Sequence, residues 1–214
     1  VVGSRPEDES GQILLYSSKD GFSWKFEQIL IQNKNRFGKM WECPDFFELD
    51  GKWLLMVSPQ DMLPVGLEYG AGNGTLCVAG YLDENEHFVE EYTQSIDYGI
   101  DFYAPQTIKT QDGRRVMIGW MQNWDTCSVR MDDAKWYGQM SCPRELALVN
   151  GKLIQKPVRE LEKLYTKKTV HENVIIDKKL QLDEVYGRIM DLIIELEAEN
   201  ESELYHSFKI SFAS

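Results

Sequence analysis

Trp41-Glu42-Cys43-Pro44-Asp45-Phe46-Phe47-Glu48-Leu49-Asp50-Gly51-Lys52-Trp53 decides how the chain folds. It reads as a strand, a tight turn and a second strand. Asp50-Gly51 between two apolar runs is a hairpin signal, because glycine adopts the positive φ that such a turn needs. The run that follows, Trp53-Leu54-Leu55-Met56-Val57-Ser58, is almost continuously apolar and is expected to be buried on both faces. Ahead of the hairpin stands Glu42, between Trp41 and Cys43. A carboxylate beside an apolar ring is partly desolvated, which favours the protonated form that a general acid needs. An ordinary surface glutamate at a strand start is the other reading, and the stretch alone leaves both open.

Two later stretches repeat the plan. Asp101-Phe102-Tyr103-Ala104-Pro105-Gln106-Thr107-Ile108 leads to Asp112-Gly113 and the strand Val116-Met117-Ile118-Gly119-Trp120. Cys142-Pro143-Arg144-Glu145-Leu146-Ala147-Leu148 leads to Asn150-Gly151. In each copy a proline precedes the turn Asp or Asn by six or seven positions, and proline suits a strand start, where no ladder bond from its nitrogen is needed. Before the first copy, Gln12 to Ser18 and Trp24-Lys25-Phe26 read as strands around the turn Lys19-Asp20-Gly21. Trp24 and Phe26 are expected in the core. Between the first two copies, Thr75 to Tyr81 and Phe88 to Tyr92 continue the β pattern. Hairpin units recurring about every 40–60 residues suggest propeller blades. A β-sandwich competes. The propeller is preferred because Glu42 and Asp101 fall at the same place in their units, and equivalent strand starts converge on one central channel.

The chain has 214 residues and 43% hydrophobic content, enough for one large domain or one domain and part of another. The formal net charge of −12 argues against nucleic acid or an anionic membrane as partner. No apolar run is long enough to cross a bilayer. There is neither a start methionine nor a signal peptide, and Val1-Val2-Gly3-Ser4 reads as the middle of a strand. Four cysteines (Cys43, Cys77, Cys127, Cys142) lack the C-x-x-C spacing of zinc or redox sites. Free buried thiols of a reducing, cytoplasmic compartment are the expectation. The histidines His87, His171 and His206 have no ligand spacing. Neither a metal nor a cofactor is expected.

Toward the end, Pro157 to Tyr165 reads as one or two helical turns, with Val158, Leu161, Leu164 and Tyr165 at helical spacing. Thr169 to Ile176, Arg188 to Glu197 and Phe208 to Phe212 read as strands. Two or three strands cannot bury a sheet face alone, so this second domain looks incomplete.

Four ordered segments resemble the motifs of glycoside hydrolase family 32, which contains invertases, sucrose-6-phosphate hydrolases, levanases and inulinases. They are Trp41-Glu42-Cys43-Pro44-Asp45, Asp101-Phe102-Tyr103-Ala104-Pro105-Gln106, Ile118-Gly119-Trp120-Met121-Gln122-Asn123-Trp124 and Pro143-Arg144-Glu145-Leu146. The resemblance spans about residues 1–165. It implies an all-β fold: part of a five-bladed β-propeller, about blades three to five, followed by the start of a β-sandwich. The corresponding divisions are residues 1–155 for the propeller part, 156–166 for a helical linker and 167–214 for the sandwich part. It implies cleavage of β-fructofuranosides with retention, a small fructoside as partner, and Glu42 as general acid/base. It also implies substrate-binding roles for Cys43, beside the sugar, for Asp101 and Tyr103, facing the channel, and for Trp124, as an apolar wall. Tyr103 would hydrogen-bond the acid/base or the sugar.

A retaining glycosidase needs a second carboxyl as nucleophile. In the family it lies in an Asn-Asp-Pro-Asn motif, and a transition-state stabiliser lies in Arg-Asp-Pro. Neither motif occurs in this sequence. The expectation is therefore a fragment of a β-fructosidase, inactive by itself, with exposed blade edges that favour homo-oligomers. A carbohydrate-binding propeller without catalysis and a fructosyltransferase are the alternatives. Arg36, Lys39, Arg114 and Arg130 are candidates for contacts to a phosphorylated sugar, with a solvated face as the other reading for each.

Overall fold

The computed structural model describes every residue except 126, 129–132, 177, 188, 199–206 and 212–214. The chain separates into two units, Val1–Leu164 and Tyr165–Ser214.

The first unit is built from three antiparallel sheets. The first holds β1 (Val2–Ser4), β2 (Gln12–Ser17) and β3 (Lys25–Gln32), in that order. The second holds β4 (Trp41–Leu49), β5 (Lys52–Pro59), β6 (Leu76–Leu82) and β7 (Phe88–Ser95). The third holds β8 (Tyr103–Lys109), β9 (Arg115–Trp120), β10 (Arg144–Val149) and β11 (Lys152–Pro157). Each sheet pairs its strands in sequence order, the meander of a propeller blade. Asp50-Gly51 and Asn150-Gly151 close their hairpins with positive φ at both residues, 50° and 81°, and 51° and 73°. That is the mirror-image turn whose twist matches the flanking strands.

Packing follows the strand alternation. Along β5 and β6, Leu54, Met56, Cys77 and Ala79 face the third sheet and join Phe102, Met117, Leu146 and Leu153. Leu55, Val57, Leu76 and Val78 face the first sheet and join Ile13, Leu30 and Trp41. The middle sheet thus lies between two apolar layers, which explains the continuous apolar run of β5. Three sheets in succession replace the two facing sheets of a sandwich.

Several expectations change. The three hairpin copies do not begin three sheets: the second and third, β8–β9 and β10–β11, are halves of one sheet, joined through β9 and β10. Sequence shows the hairpin and not which neighbour it pairs with. Trp24 and Phe26 are 62% and 48% exposed, because they follow a turn closed locally by Ser18 and Asp20 side chains onto backbone N–H groups. Of the cysteines, Cys77 is buried, whereas Cys43 and Cys142 are exposed.

The helical stretch is a 3₁₀ helix, Arg159–Leu164. It is tied to the third sheet by Arg114–Glu160 at 2.6 Å and Arg159–Glu145 at 2.8 Å. In the second unit the stretches 169–176, 188–197 and 208–212 form no strand among the described residues. Their apolar positions are largely exposed, as in Ile189 and Ile193. No helix among the described residues is long and apolar enough to cross a membrane.

Candidate active site

β4 and β8 carry the same local device at their starts. In β4 the register with β5 breaks between Glu42 and Asp45, and in β8 the register with β9 breaks between Tyr103 and Gln106. Each break holds a non-glycine residue at positive φ followed by proline: Cys43 at 47° before Pro44, and Ala104 at 51° before Pro105. Such bulges bend a strand and re-aim a side chain. Glu42 pairs with Ser58 and Tyr103 pairs with Trp120, so Glu42 and Tyr103 hold matched places in neighbouring sheets. This corrects the pairing of Glu42 with Asp101, which lies ahead of β8. Counting from proline gives the match: Glu42 and Tyr103 each stand two residues before it.

The two matched side chains meet. The Tyr103 hydroxyl donates to Glu42 Oε2 at 2.8 Å, and the Trp124 indole N–H donates to the same oxygen at 2.9 Å. Oε1 takes no bond among the described residues. Tyr103 is 1% exposed. Burial, and then the bond to the Glu42 carboxylate, pushes its hydroxyl well above the usual phenol range. It is therefore a fixed donor and never a base at working pH. Trp120 lies edge-on between the two donors, 6.5 Å from the Tyr103 ring and 5.7 Å from the Trp124 ring.

The apolar surround of Glu42 is therefore not Trp41. Adjacent strand residues point to opposite faces; Trp41 is fully buried toward the first sheet, with its N–H on the Phe37 carbonyl at 2.9 Å. Cys43 is exposed beside Glu42, and partial burial, followed by the Glu42 charge, raises its thiol above the ordinary range. A protonated thiol is a poor nucleophile.

Asp101 accepts a bond from the Asn123 side-chain amide and has further contacts. Asp45 accepts the Thr107 N–H at 2.7 Å. Buried Ser58 ties the two sheets beneath the site: its Oγ accepts the Ala104 N–H at 2.9 Å, and its carbonyl lies 3.2 Å from the Tyr103 hydroxyl. Gln106 adds a bond to the Cys43 carbonyl at 3.1 Å. Sequence reasoning missed Ser58 and Asn123. The advance signal for Ser58 is a polar residue closing the apolar run 53–57, and for Asn123 its place beside Trp124 in the third quoted motif.

The basic candidates are paired elsewhere. Arg36 meets Glu90 at 2.8 Å, Lys39 meets Glu9 at 3.3 Å, and Arg114 is shared by Asp112, Glu145 and Glu160. Arg130 lies outside the described residues. No group of His, Cys, Asp and Glu able to hold a metal occurs among the described residues.

Residues 1–157 match the model of the glycosyl hydrolases family 32 N-terminal domain. A sucrose-6-phosphate hydrolase of Escherichia coli is 36% identical over 86% of this chain and 40% of its own length. One from Staphylococcus xylosus is 33% identical over 99% of this chain and 43% of its own length. Among solved structures, a Bombyx mori GH32 beta-fructofuranosidase mutant in complex with sucrose superimposes with a TM-score of 0.70 at 37% identity, covering 77% of this chain and 35% of that one. The chain thus spans less than half the length of these relatives.

Proposed function

The chain belongs to glycosyl hydrolase family 32, and from that premise we propose that the complete protein hydrolyses β-fructofuranosides such as sucrose or sucrose 6-phosphate with retention, using Glu42 as acid/base. The convergence of the Tyr103 O–H and the Trp124 N–H on Glu42 Oε2 carries this reading. Two donors on one oxygen leave the proton for the other. Oε1 then presents it to the glycosidic oxygen as the bond to the fructosyl anomeric carbon breaks, and the leaving sugar departs as an alcohol. A second carboxylate attacks that carbon and forms the covalent fructosyl-enzyme. Glu42, now ionised, takes a proton from water as water displaces the carboxylate, which completes retention.

The nucleophile has to stand about 5–5.5 Å from the acid. Asp45 is bound to the Thr107 backbone and Asp101 to Asn123, which disfavours both as substitutes. The reading therefore assigns the nucleophile to residues outside these 214, and residues 1–214 alone are inactive. Under the same reading, Cys43 and Asp101 border the sugar and Trp124 walls its pocket. The names of the similar proteins, sucrose-6-phosphate hydrolases and a fructofuranosidase bound to sucrose, support this substrate class.

The test measures fructose release from sucrose, sucrose 6-phosphate and inulin by the complete protein. Glu42→Gln is expected to cut kcat about 10²–10⁴-fold, the usual contribution of general acid–base catalysis. Activity within about tenfold of wild type in Glu42→Gln removes the acid/base assignment. Sugar binding without any bond cleavage by wild type points to a carbohydrate-binding propeller, and transfer to sugar acceptors in preference to water points to a fructosyltransferase.

A further inference from the structure

Trp124 poses a question that its own packing does not answer. Its side chain is 55% exposed, yet its N–H is aimed at Glu42 from 2.9 Å. A half-exposed indole on a loop has several rotamers and backbone settings open to it. Something must select one.

Its two neighbours supply the selection. Asn123 is 6% exposed, and both ends of its side-chain amide and its backbone carbonyl are engaged. Its side-chain amide donates to Asp101 Oδ1, its side-chain oxygen accepts the Asp125 N–H at 2.8 Å, and its carbonyl accepts the Cys127 N–H at 2.9 Å. The first bond fixes the loop to the chain just ahead of β8. The other two close a turn around Trp124. On the far side, Asp125 Oδ2 accepts the Asn73 side-chain amide at 2.8 Å. Asn73 belongs to the β5–β6 connection of the middle sheet, whose β4 carries Glu42. The loop that bears the donor is thus fastened to both sheets that form the site.

We propose that Asn123 is a positioning residue for the acid/base: with Asn73 and Asp125 as a second tie, it fixes the loop so that the Trp124 N–H stays on Glu42 Oε2. This deepens the proposed function and rests on it for its kinetic consequence, while the positional claim stands independently. Removing the side chain leaves Glu42 in place but frees one of its two donors, so the carboxyl loses orientation. The effect falls on proton delivery to the leaving group and not on sugar binding.

The experiment uses the complete protein, with Asn123→Ala, Trp124→Phe and their double variant. Because burial makes Asn123→Ala a folding risk, Asn73→Ala is carried in parallel. Two substrates are compared: sucrose, whose leaving group needs a proton, and an aryl β-fructofuranoside, whose phenolate departs without one. Asn123→Ala is expected to lower kcat on sucrose about 10–100-fold, part of the general-acid contribution, with KM changed less than about threefold. The aryl substrate loses less than about threefold. The double variant is no worse than Trp124→Phe alone, since both act through one bond. Asn73→Ala shows the same split at about threefold on sucrose. Equal losses on both substrates, or additive losses in the double variant, overturn the proposal.

A second readout does not need activity. The Trp124 indole N–H signal, assigned by its absence in Trp124→Phe, is expected to exchange at least about tenfold faster with solvent in Asn123→Ala and Asn73→Ala. An unchanged signal in both variants overturns the proposal even if wild type cleaves neither substrate, whereas wild-type inactivity with a changed signal overturns only the hydrolase reading.

Discussion

β5 and β9 hold matched places in their sheets, and their burial differs. From the two bulges, Met56 of β5 corresponds to Ile118 of β9, since they pair with Asp45 and Gln106. Met56 is fully buried and Ile118 is 38% exposed. The middle sheet has a neighbour on each face, and the third sheet has one on the side of Phe102 and Met117. On the third sheet Ile108, Val149 and Ile154 are also exposed. The same strand plan is therefore buried almost throughout where two layers press on it, and buried at alternate positions where a single layer does. An apolar sheet face in water favours association, and the homo-oligomer expected from sequence would form through this face of the third sheet.

The contrast breaks first at Met56. Met56→Ala is expected to cost about 2–5 kcal/mol by chemical denaturation, whereas Ile118→Ala costs less than about 1 kcal/mol. Equal costs would mean that the exposed face of the third sheet is covered in solution, and light scattering would then report the oligomer.

The next effect belongs to the site itself. Tyr103→Phe removes one of two donors to Glu42 without changing the ring, and a roughly tenfold fall in kcat is expected with folding intact. A fall as large as that of Glu42→Gln would give the hydroxyl a role in the chemistry beyond orientation.

A smaller effect separates the sheets by pH. In the third sheet Glu145 is held down to about 2 by the Arg159 guanidinium and backbone N–H, with Arg114 beside it. A depressed carboxyl stabilises the fold above its ordinary value and loses that contribution as pH falls through its folded value. Glu145→Gln is therefore expected to lower Tm by about 2–4 °C near pH 7, the scale of a partly exposed ion pair. The gap should close between about pH 4.5 and pH 2. A gap independent of pH would assign the loss to packing.

The smallest effect tests the matched bulges. Cys43 and Ala104 both hold positive φ, which costs a side-chain-bearing residue about 1–2 kcal/mol and glycine little. After the entropy that glycine adds to the unfolded chain, Ala104→Gly and Cys43→Gly should each be stabilising by up to about 1 kcal/mol. Opposite signs at the two positions would show that the bulges differ in spite of their matched geometry.

Much of this was legible in the chain itself. Asp50-Gly51 and Asn150-Gly151 dictate hairpins through local backbone preference, and the run Trp53–Ser58 declares a strand covered on both faces. The motifs around Glu42, Tyr103 and Trp124 mark the residues that come together, because each is a short segment whose spacing is fixed along the chain. What the tertiary structure decided is which segments meet. β8–β9 and β10–β11 share one sheet, Tyr103 and not Asp101 answers Glu42, Trp41 turns away from the carboxylate beside it, and Trp24 stays in water. Each of these depends on contacts between residues far apart in sequence. Hydrophobic periodicity states that a face will be covered, while the identity of the cover comes from chain closure and packing across sheets.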